Sequence, residues 1–166
     1  GRGSTFVVEI PVGPSTASEA DGSVQENVET PERSDRPAQS RRRRILLAED
    51  EAINRLYLQE HLTGLGYDVD VAKDGEEAQR LARAGRYDLV LMDVGMPKIS
   101  GLEATRRIIE DARAADKEPA PVIALTAHTY EEDIRRCHEA GMRDFVSKPV
   151  REGALRRVLE QYIVNT

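Results

Sequence analysis

Three short apolar stretches that run into charged residues decide the fold of this chain: Ile45-Leu46-Leu47-Ala48-Glu49-Asp50, Leu89-Val90-Leu91-Met92-Asp93 and Phe145-Val146-Ser147-Lys148-Pro149. Apolar runs of this length, bounded by charged or turn-forming residues, are typical of buried strands in a parallel sheet. The carboxyl ends of such strands meet at one edge of the sheet, where ligands bind. The sequence therefore predicts that acids and a lysine from distant parts of the chain lie together.

An alternation of strands and helices extends this pattern over the chain after Arg44. We expect strands at about Ile45–Ala48, Asp68–Ala72, Leu89–Met92, Val122–Leu125 and Asp144–Ser147. Amphipathic stretches predict helices at Ala52–Leu65, Glu76–Ala84, Gly101–Ala115, Glu131–Ala140 and Gly153–Ile163. Such alternation predicts an α/β, doubly wound, five-stranded parallel sheet in the flavodoxin-like order 2-1-3-4-5, with five helices.

The first predicted helix has apolar residues near one face. We expect this face to pack on the sheet. It consists of Ile53, Leu56, Tyr57 and Leu62, together with Glu60. The outer face is then expected to carry Arg55, Gln59 and Thr63, and Gly64-Leu65-Gly66 predicts the helix end.

Composition limits the classes of function. A net charge of −6 leaves no broad basic face that could bind phosphates, so nucleic acid is disfavoured as a partner. The run of arginines at Arg41–Arg44 is interpreted as a solvated segment that leads into the first strand. The single cysteine, Cys137, excludes an intramolecular disulfide and fits a cytoplasmic setting. Because no apolar run reaches about 18 residues, we expect no membrane contact from this chain, while a longer parent could be anchored upstream.

The first 42 residues are expected to lie outside the α/β domain, which is assigned to residues 43–166. Residues 14–42 are rich in Ser, Glu, Asp, Pro and Gln, a composition that predicts a flexible linker. Residues 1–13 place glycines and hydroxyl residues before Phe6-Val7-Val8-Glu9-Ile10, which predicts a turn and a strand that ends another, upstream domain.

The residues at the strand ends predict a magnesium-assisted phosphoryl site. Glu49, Asp50 and Asp93 would repel one another at close range unless a cation lay among them, and Mg²⁺ prefers carboxylate oxygens. A carboxylate can attack phosphorus to form an acyl phosphate. Lys148 would add a positive charge opposite the metal, and the Thr126 hydroxyl would donate a hydrogen bond.

Residues from about 43 to 162 resemble a response-regulator receiver domain. Four motifs carry the resemblance, in order and each at a strand end: Leu47-Ala48-Glu49-Asp50-Glu51, Leu91-Met92-Asp93-Val94-Gly95-Met96-Pro97, Ala124-Leu125-Thr126-Ala127 and Ser147-Lys148-Pro149. The resemblance implies that Asp93 is the phosphoacceptor. It implies that Thr126 and Lys148 contact phosphoryl oxygens, that Phe145 is an aromatic switch, and that Mg²⁺ is held by Glu49, Asp50, Asp93 and the Gly95 carbonyl.

A second resemblance concerns the partners. Gly1-Arg2-Gly3-Ser4-Thr5-Phe6 with Pro11 resembles the last glycine box and closing strand of a histidine-kinase ATP-binding domain. Together the two resemblances imply the receiver of a hybrid sensor histidine kinase. Its phosphodonor would be a histidine on the kinase core or on a histidine phosphotransfer domain, docking on the first helix near Asn54 and Tyr57.

Several alternatives stay open. A stand-alone regulator that acts by protein docking would share these motifs, and a haloacid-dehalogenase-type hydrolase also uses an aspartyl phosphate, although Gly95 stands where that class has its second Asp. Taken singly, Glu49-Asp50-Glu51 could cap the following helix, Asp93 could be a turn former, and Phe145 could be a core residue.

Overall fold

Five strands alternate with five helices over residues 41–164, the part of the chain that the computed structural model describes. The strands are Arg44–Ala48 (β1), Asp68–Ala72 (β2), Leu89–Asp93 (β3), Val122–Thr126 (β4) and Asp144–Ser147 (β5). The helices are Ala52–Gly64 (α1), Gly75–Ala84 (α2), Gly101–Ala114 (α3), Glu131–Glu139 (α4) and Glu152–Leu159 (α5), which continues as one π-helical segment, Glu160–Val164. The predicted elements are confirmed in type and order, whereas the predictions for residues 1–13 and 14–40 lie outside the described residues.

All five strands are parallel and form one sheet in the order β2-β1-β3-β4-β5, which confirms the predicted flavodoxin-like topology. The register aligns the carboxyl ends of the central strands, because Ala48 pairs with Met92, and Asp93 with Leu125. The edge pair β4–β5 ends level with them, at Thr126 and Ser147. Residues that follow these ends therefore enter one crevice.

The core lies on both faces of the sheet, because successive strand residues point to opposite sides. One face packs against α2, α3 and α4 and is formed by Leu46, Ala48, Val90, Met92, Val122 and Ala124. The other packs against α1 and α5 and is formed by Ile45, Leu47, Leu89, Leu91, Ile123 and Leu125. Burial on both sides explains why β1, β3 and β4 are continuous apolar runs. Cys137 is buried in the first layer, as a small apolar residue would be.

Of the residues predicted for the inner face of α1, only Leu62 is buried. Ile53, Leu56 and Tyr57 are 77%, 57% and 53% exposed, and the buried residues of the helix are Leu58 and Leu62. The error arose because α1 has apolar residues on two faces, so spacing alone did not identify the face that packs on the sheet. The helix does end at Gly64, and the chain then turns through Gly66 at a φ of 92°.

Each of the four arginines from Arg41 to Arg44, the last of which is the first residue of β1, lies against an acid of the same domain. Arg41 and Arg43 pair with Asp88, and the other two pairs are Arg42 with Asp68 and Arg44 with Asp70. Their positive charges are therefore matched locally. Within residues 41–164, no helix combines the length and the hydropathy that crossing a membrane requires.

Candidate functional site

The carboxyl edge of the sheet brings together Glu49, Asp93 and Lys148. The Lys148 ammonium nitrogen lies 2.7 Å from Asp93 Oδ2, 2.9 Å from Glu49 Oε1 and 2.7 Å from Glu49 Oε2. Glu49 is fully buried and Asp93 is 6% exposed. These residues follow β1, end β3 and follow β5, so the strand register is what makes them meet.

Asp50 completes a cluster of three acids. One carboxylate oxygen from each of Glu49, Asp50 and Asp93 lies within 4.8 Å of the other two. Asp50 is exposed while its two partners are buried, so the cluster opens to solvent on the side of Asp50. Small hard cations such as Mg²⁺ prefer one or two carboxylates and keep several waters, and this half-open donor set suits that preference.

A buried acceptor without a donor supports the same fit. Although Lys148 Nζ is close to both oxygens of Glu49, its geometry suits a hydrogen bond only to Oε1. Oε2 has no hydrogen-bond donor within residues 41–164. The charge nearest to Oε2 is the Lys148 ammonium, which Glu49 shares with Asp93, so negative charge stays in excess at a buried place and is costly unless a further cation is bound. The residues present therefore fit a divalent ion.

The pKa values of Glu49 and Lys148 depend on two opposing effects, burial and interaction with neighbouring charges. Burial raises the pKa of Glu49; the hydrogen bond from Lys148 lowers it and the nearby charge of Asp93 raises it, so that the balance lies above 4.5. Burial lowers the pKa of Lys148, but its hydrogen bonds to Asp93 and Glu49 outweigh burial and raise that pKa above 10.5. Lys148 is thus a firmly held ammonium.

The β3–α3 loop is shaped around Asp93. The Gly95 N–H donates to Asp93 Oδ1 at 2.9 Å, which fixes the rotation of the carboxylate. At the end of the loop, Gly101 lies so close to the Asp93 carbonyl that a Cβ at this position would clash with backbone. The Gly101 N–H donates to the Val94 carbonyl at 3.1 Å, and this bond closes the loop.

Arg55 is a residue of the site that sequence reasoning missed. Its guanidinium donates to the carbonyls of Glu49 and Asp50, both at 2.9 Å, and so holds the β1–α1 loop that carries the acids. Sequence spacing placed Arg55 on the outer face of α1, because a pattern of apolar residues carries no signal for a side chain that binds carbonyls. Glu51 makes no capping bond to α1 within the described chain and instead accepts from Asn54 at 2.7 Å.

Thr126, which ends β4, and Phe145, in β5, make their contacts outside the acid cluster. The Thr126 hydroxyl donates to the His128 carbonyl at 2.9 Å and accepts from the His128 N–H at 3.1 Å. Phe145 is half-buried and packs against the core layer that contains Met92 and Ala124. Their predicted roles as phosphoryl contact and switch therefore remain predictions.

Residues 45–160 match the family model described as the response regulator receiver domain. The chain belongs to this family, and its domain is a receiver of two-component phosphorelay signalling.

Two relatives illustrate where such domains occur. The chain is 43% identical over 123 residues to Histidine protein kinase 1 of Candida albicans, a match that covers 70% of this chain and 5% of that protein. It is 34% identical over 162 residues to the aerobic respiration control sensor protein ArcB of Escherichia coli K12, covering 98% of this chain and 19% of ArcB. The chain thus spans a small part of the length of these curated relatives.

Two solved structures are similar in fold. One is the receiver domain of the sensor histidine kinase PA1611 from Pseudomonas aeruginosa, with a magnesium ion in its active-site cleft: it is 37% identical, with a TM-score of 0.65, over 74% of this chain and 98% of that chain. The other is the Saccharomyces cerevisiae complex of the histidine phosphotransfer protein Ypd1 with the receiver domain of Ssk1. It is 28% identical, with a TM-score of 0.70, over 73% of this chain and 88% of that chain.

Proposed function

We propose that this chain accepts a phosphoryl group from a phosphohistidine onto Asp93 in a magnesium-dependent step. The observation that carries the proposal is the contact of one ammonium, Lys148, with the carboxylates of both Asp93 and Glu49, beside Asp50. Phosphoryl transfer asks mainly for positioning and charge neutralisation, because the phosphoryl group and its acceptor are both anionic. An ammonium and a group of metal-binding acids around one carboxylate meet that need.

In the proposed reaction an oxygen of Asp93 forms a bond to phosphorus while the phosphorus–nitrogen bond of the donor breaks. The leaving imidazole keeps the electron pair of the broken bond and takes up a proton. Glu49, Asp50, Asp93 and the Gly95 carbonyl would hold Mg²⁺, which when bound would neutralise carboxylate and phosphoryl charge. Lys148 holds its positive charge next to Asp93 Oδ2, where a phosphoryl oxygen would come to lie.

The new phosphoryl charge would then act on Thr126 and Phe145. An aspartyl phosphate brings strong acceptor oxygens, and these compete with the His128 carbonyl for the Thr126 hydroxyl. If Thr126 turns towards the phosphoryl group, the loop after β4 moves with it and Phe145 repacks. We propose that the resulting change on α4, β5 and α5 is the output.

The proposed partner is a histidine kinase core or a histidine phosphotransfer domain. We propose that the longer protein to which this chain belongs is a hybrid sensor histidine kinase. Similarity to ArcB covers 98% of the chain and so includes residues before the receiver. The exposed side chains of Ile53, Leu56 and Tyr57 give α1 an apolar surface, and Asn54 of the same helix hydrogen-bonds Glu51 next to the acid pair. We propose that the donor docks on this surface, in the cytoplasm.

Substitution of the acceptor tests the proposal. With acetyl phosphate and Mg²⁺, we expect the parent chain to gain one phosphoryl group that mass spectrometry maps to Asp93, and Asp93→Asn to gain none. Asp116→Asn is a matched control, because Asp116 is an exposed aspartate in the loop between α3 and β4, at the opposite edge of the sheet, and its φ of 54° is one that asparagine tolerates. Equal labelling of Asp93→Asn and the parent would overturn the proposal.

A further inference from the structure

Next to the site, the turn before α2 is tied to the loop that follows Asp93. The Lys98 ammonium lies 2.6 Å from Asp74 Oδ2 and 3.8 Å from Glu76 Oε2. Asp74 is the residue before α2, and Lys98 lies in the β3–α3 loop three residues after Gly95. The ion pair therefore joins two loops at the carboxyl edge of the sheet.

The backbone of Lys98 is held in a conformation that a lysine adopts at a cost. Its φ is 66°, in the left-handed region that only glycine enters freely. Strained residues persist where surrounding contacts hold them, and such residues concentrate at functional sites. From this backbone conformation the Lys98 ammonium donates to Asp74 Oδ2.

The other side of this contact is fixed by α2. Asp74 Oδ1 accepts from the Glu77 N–H at 2.8 Å and so caps the helix, while Oδ2 faces Lys98. A second contact lies beside it, because a Cβ on Gly75 would come 2.5 Å from the Ile99 carbonyl oxygen. The β3–α3 loop therefore contacts the start of α2 at two adjacent positions, Asp74 and Gly75.

We propose that the Asp74–Lys98 ion pair is a positioning element that holds the β3–α3 loop, and with it the Gly95 carbonyl, for metal binding. This inference rests on the proposed function, in which that carbonyl is a ligand. Neither residue touches the metal or the phosphoryl group. Both act through the loop, whose hydrogen bonds already orient Asp93 through the Gly95 N–H.

The test separates the ion pair from the cap and from the backbone strain. Asp74→Asn keeps a capping oxygen and removes the charge, and Lys98→Asn tolerates the left-handed φ and removes the ammonium. Lys98→Arg keeps the pair. Lys73→Gln is the control, because it removes one exposed positive charge from the neighbouring position.

We expect Asp74→Asn and Lys98→Asn to weaken Mg²⁺ binding in calorimetric titration by about threefold to fivefold, and Lys98→Arg and Lys73→Gln to bind like the parent. In metal-free protein, the amide of Gly101 should exchange hydrogen faster in the two asparagine variants. The loss of affinity should shrink in about 1 M salt, because an exposed pair is screened.

Unchanged affinity and exchange in both asparagine variants would overturn the inference while leaving the proposed function intact, provided that the parent binds Mg²⁺. If the parent itself does not bind Mg²⁺, the proposed function and the inference both fall.

Discussion

At the scale of single residues, the site is defined by an imbalance of charge. Three carboxylates, those of Glu49, Asp50 and Asp93, lie around one ammonium, that of Lys148. Two negative charges are therefore in excess, and one divalent cation balances them. Since Glu49 is fully buried and Asp50 is exposed, the two acids should respond differently to substitution.

Asp50→Ala should weaken Mg²⁺ binding at least about tenfold, because it removes one carboxylate from the cluster. The free energy of unfolding should change by no more than about 0.5 kcal/mol, since the residue is exposed. Calorimetric titration with Mg²⁺ and urea denaturation measure the two effects. Glu51→Ala, which removes the neighbouring acid outside the cluster, is the control; equal affinities of Asp50→Ala and the parent would reject the assigned ligand.

Glu49 should make stability depend on pH in a direction opposite to that of most acids. Because its pKa is raised above 4.5 in the folded state, the folded chain binds more protons than the unfolded chain in a window that begins near pH 4.5. Stability contributed by this group is therefore lost as the pH rises through the window. Urea denaturation of the metal-free protein at a series of pH values measures this effect. As the pH rises through the window, the free energy of unfolding should fall more for the unmutated chain than for Glu49→Gln. A difference that is independent of pH would contradict the raised pKa.

At the scale of elements, α1 serves two purposes with two faces. Its inner face packs Leu58 and Leu62 on the sheet and directs Arg55 to the carbonyls of the β1–α1 loop. Its outer face exposes Leu56 and Tyr57. Exposed apolar side chains that lie together often mark a protein–protein surface, and α1 begins two residues after Asp50 of the acid cluster.

Removal of the outer apolar face of α1 should slow phosphoryl transfer from a protein donor but leave phosphorylation by a small-molecule donor unchanged. We expect Leu56→Ser with Tyr57→Ser to slow phosphoryl transfer from a phosphorylated histidine phosphotransfer domain about tenfold, because buried aromatic anchors dominate interfaces. Labelling by acetyl phosphate should be unchanged. Leu65→Ser is the control, because Leu65 follows the far end of α1 and is 37% exposed. If transfer from both donors slows equally, α1 is not the docking surface.

At the scale of the whole molecule, the assignment of residues 14–42 as a linker is a prediction from composition. We expect limited proteolysis with trypsin to cut first after Arg33, which lies among polar residues, and to leave a resistant fragment that contains residues 45–160. Mass spectrometry of the fragments would locate the cuts. Early cleavage inside β1 to β5 would contradict this domain organisation.

The sequence by itself determined the order of strands and helices and the edge at which the acids stand. Central strands buried on both faces must be continuous apolar runs, and strands of one direction must present their following residues at one edge. These are properties of neighbouring residues in the chain, so they are visible without coordinates.

Only the tertiary structure decided which face of α1 is buried, that Arg55 binds loop carbonyls, and that Lys98 reaches Asp74. These facts depend on how elements pack, and periodicity within one helix carries no information about the surface it meets. The sequence predicts that Lys148 lies near the acids, but the contact of its ammonium with Glu49, across 99 positions of sequence, is given only by the tertiary structure. Residue types predicted the chemistry, but the strand register and the loop paths set the distances on which that chemistry depends.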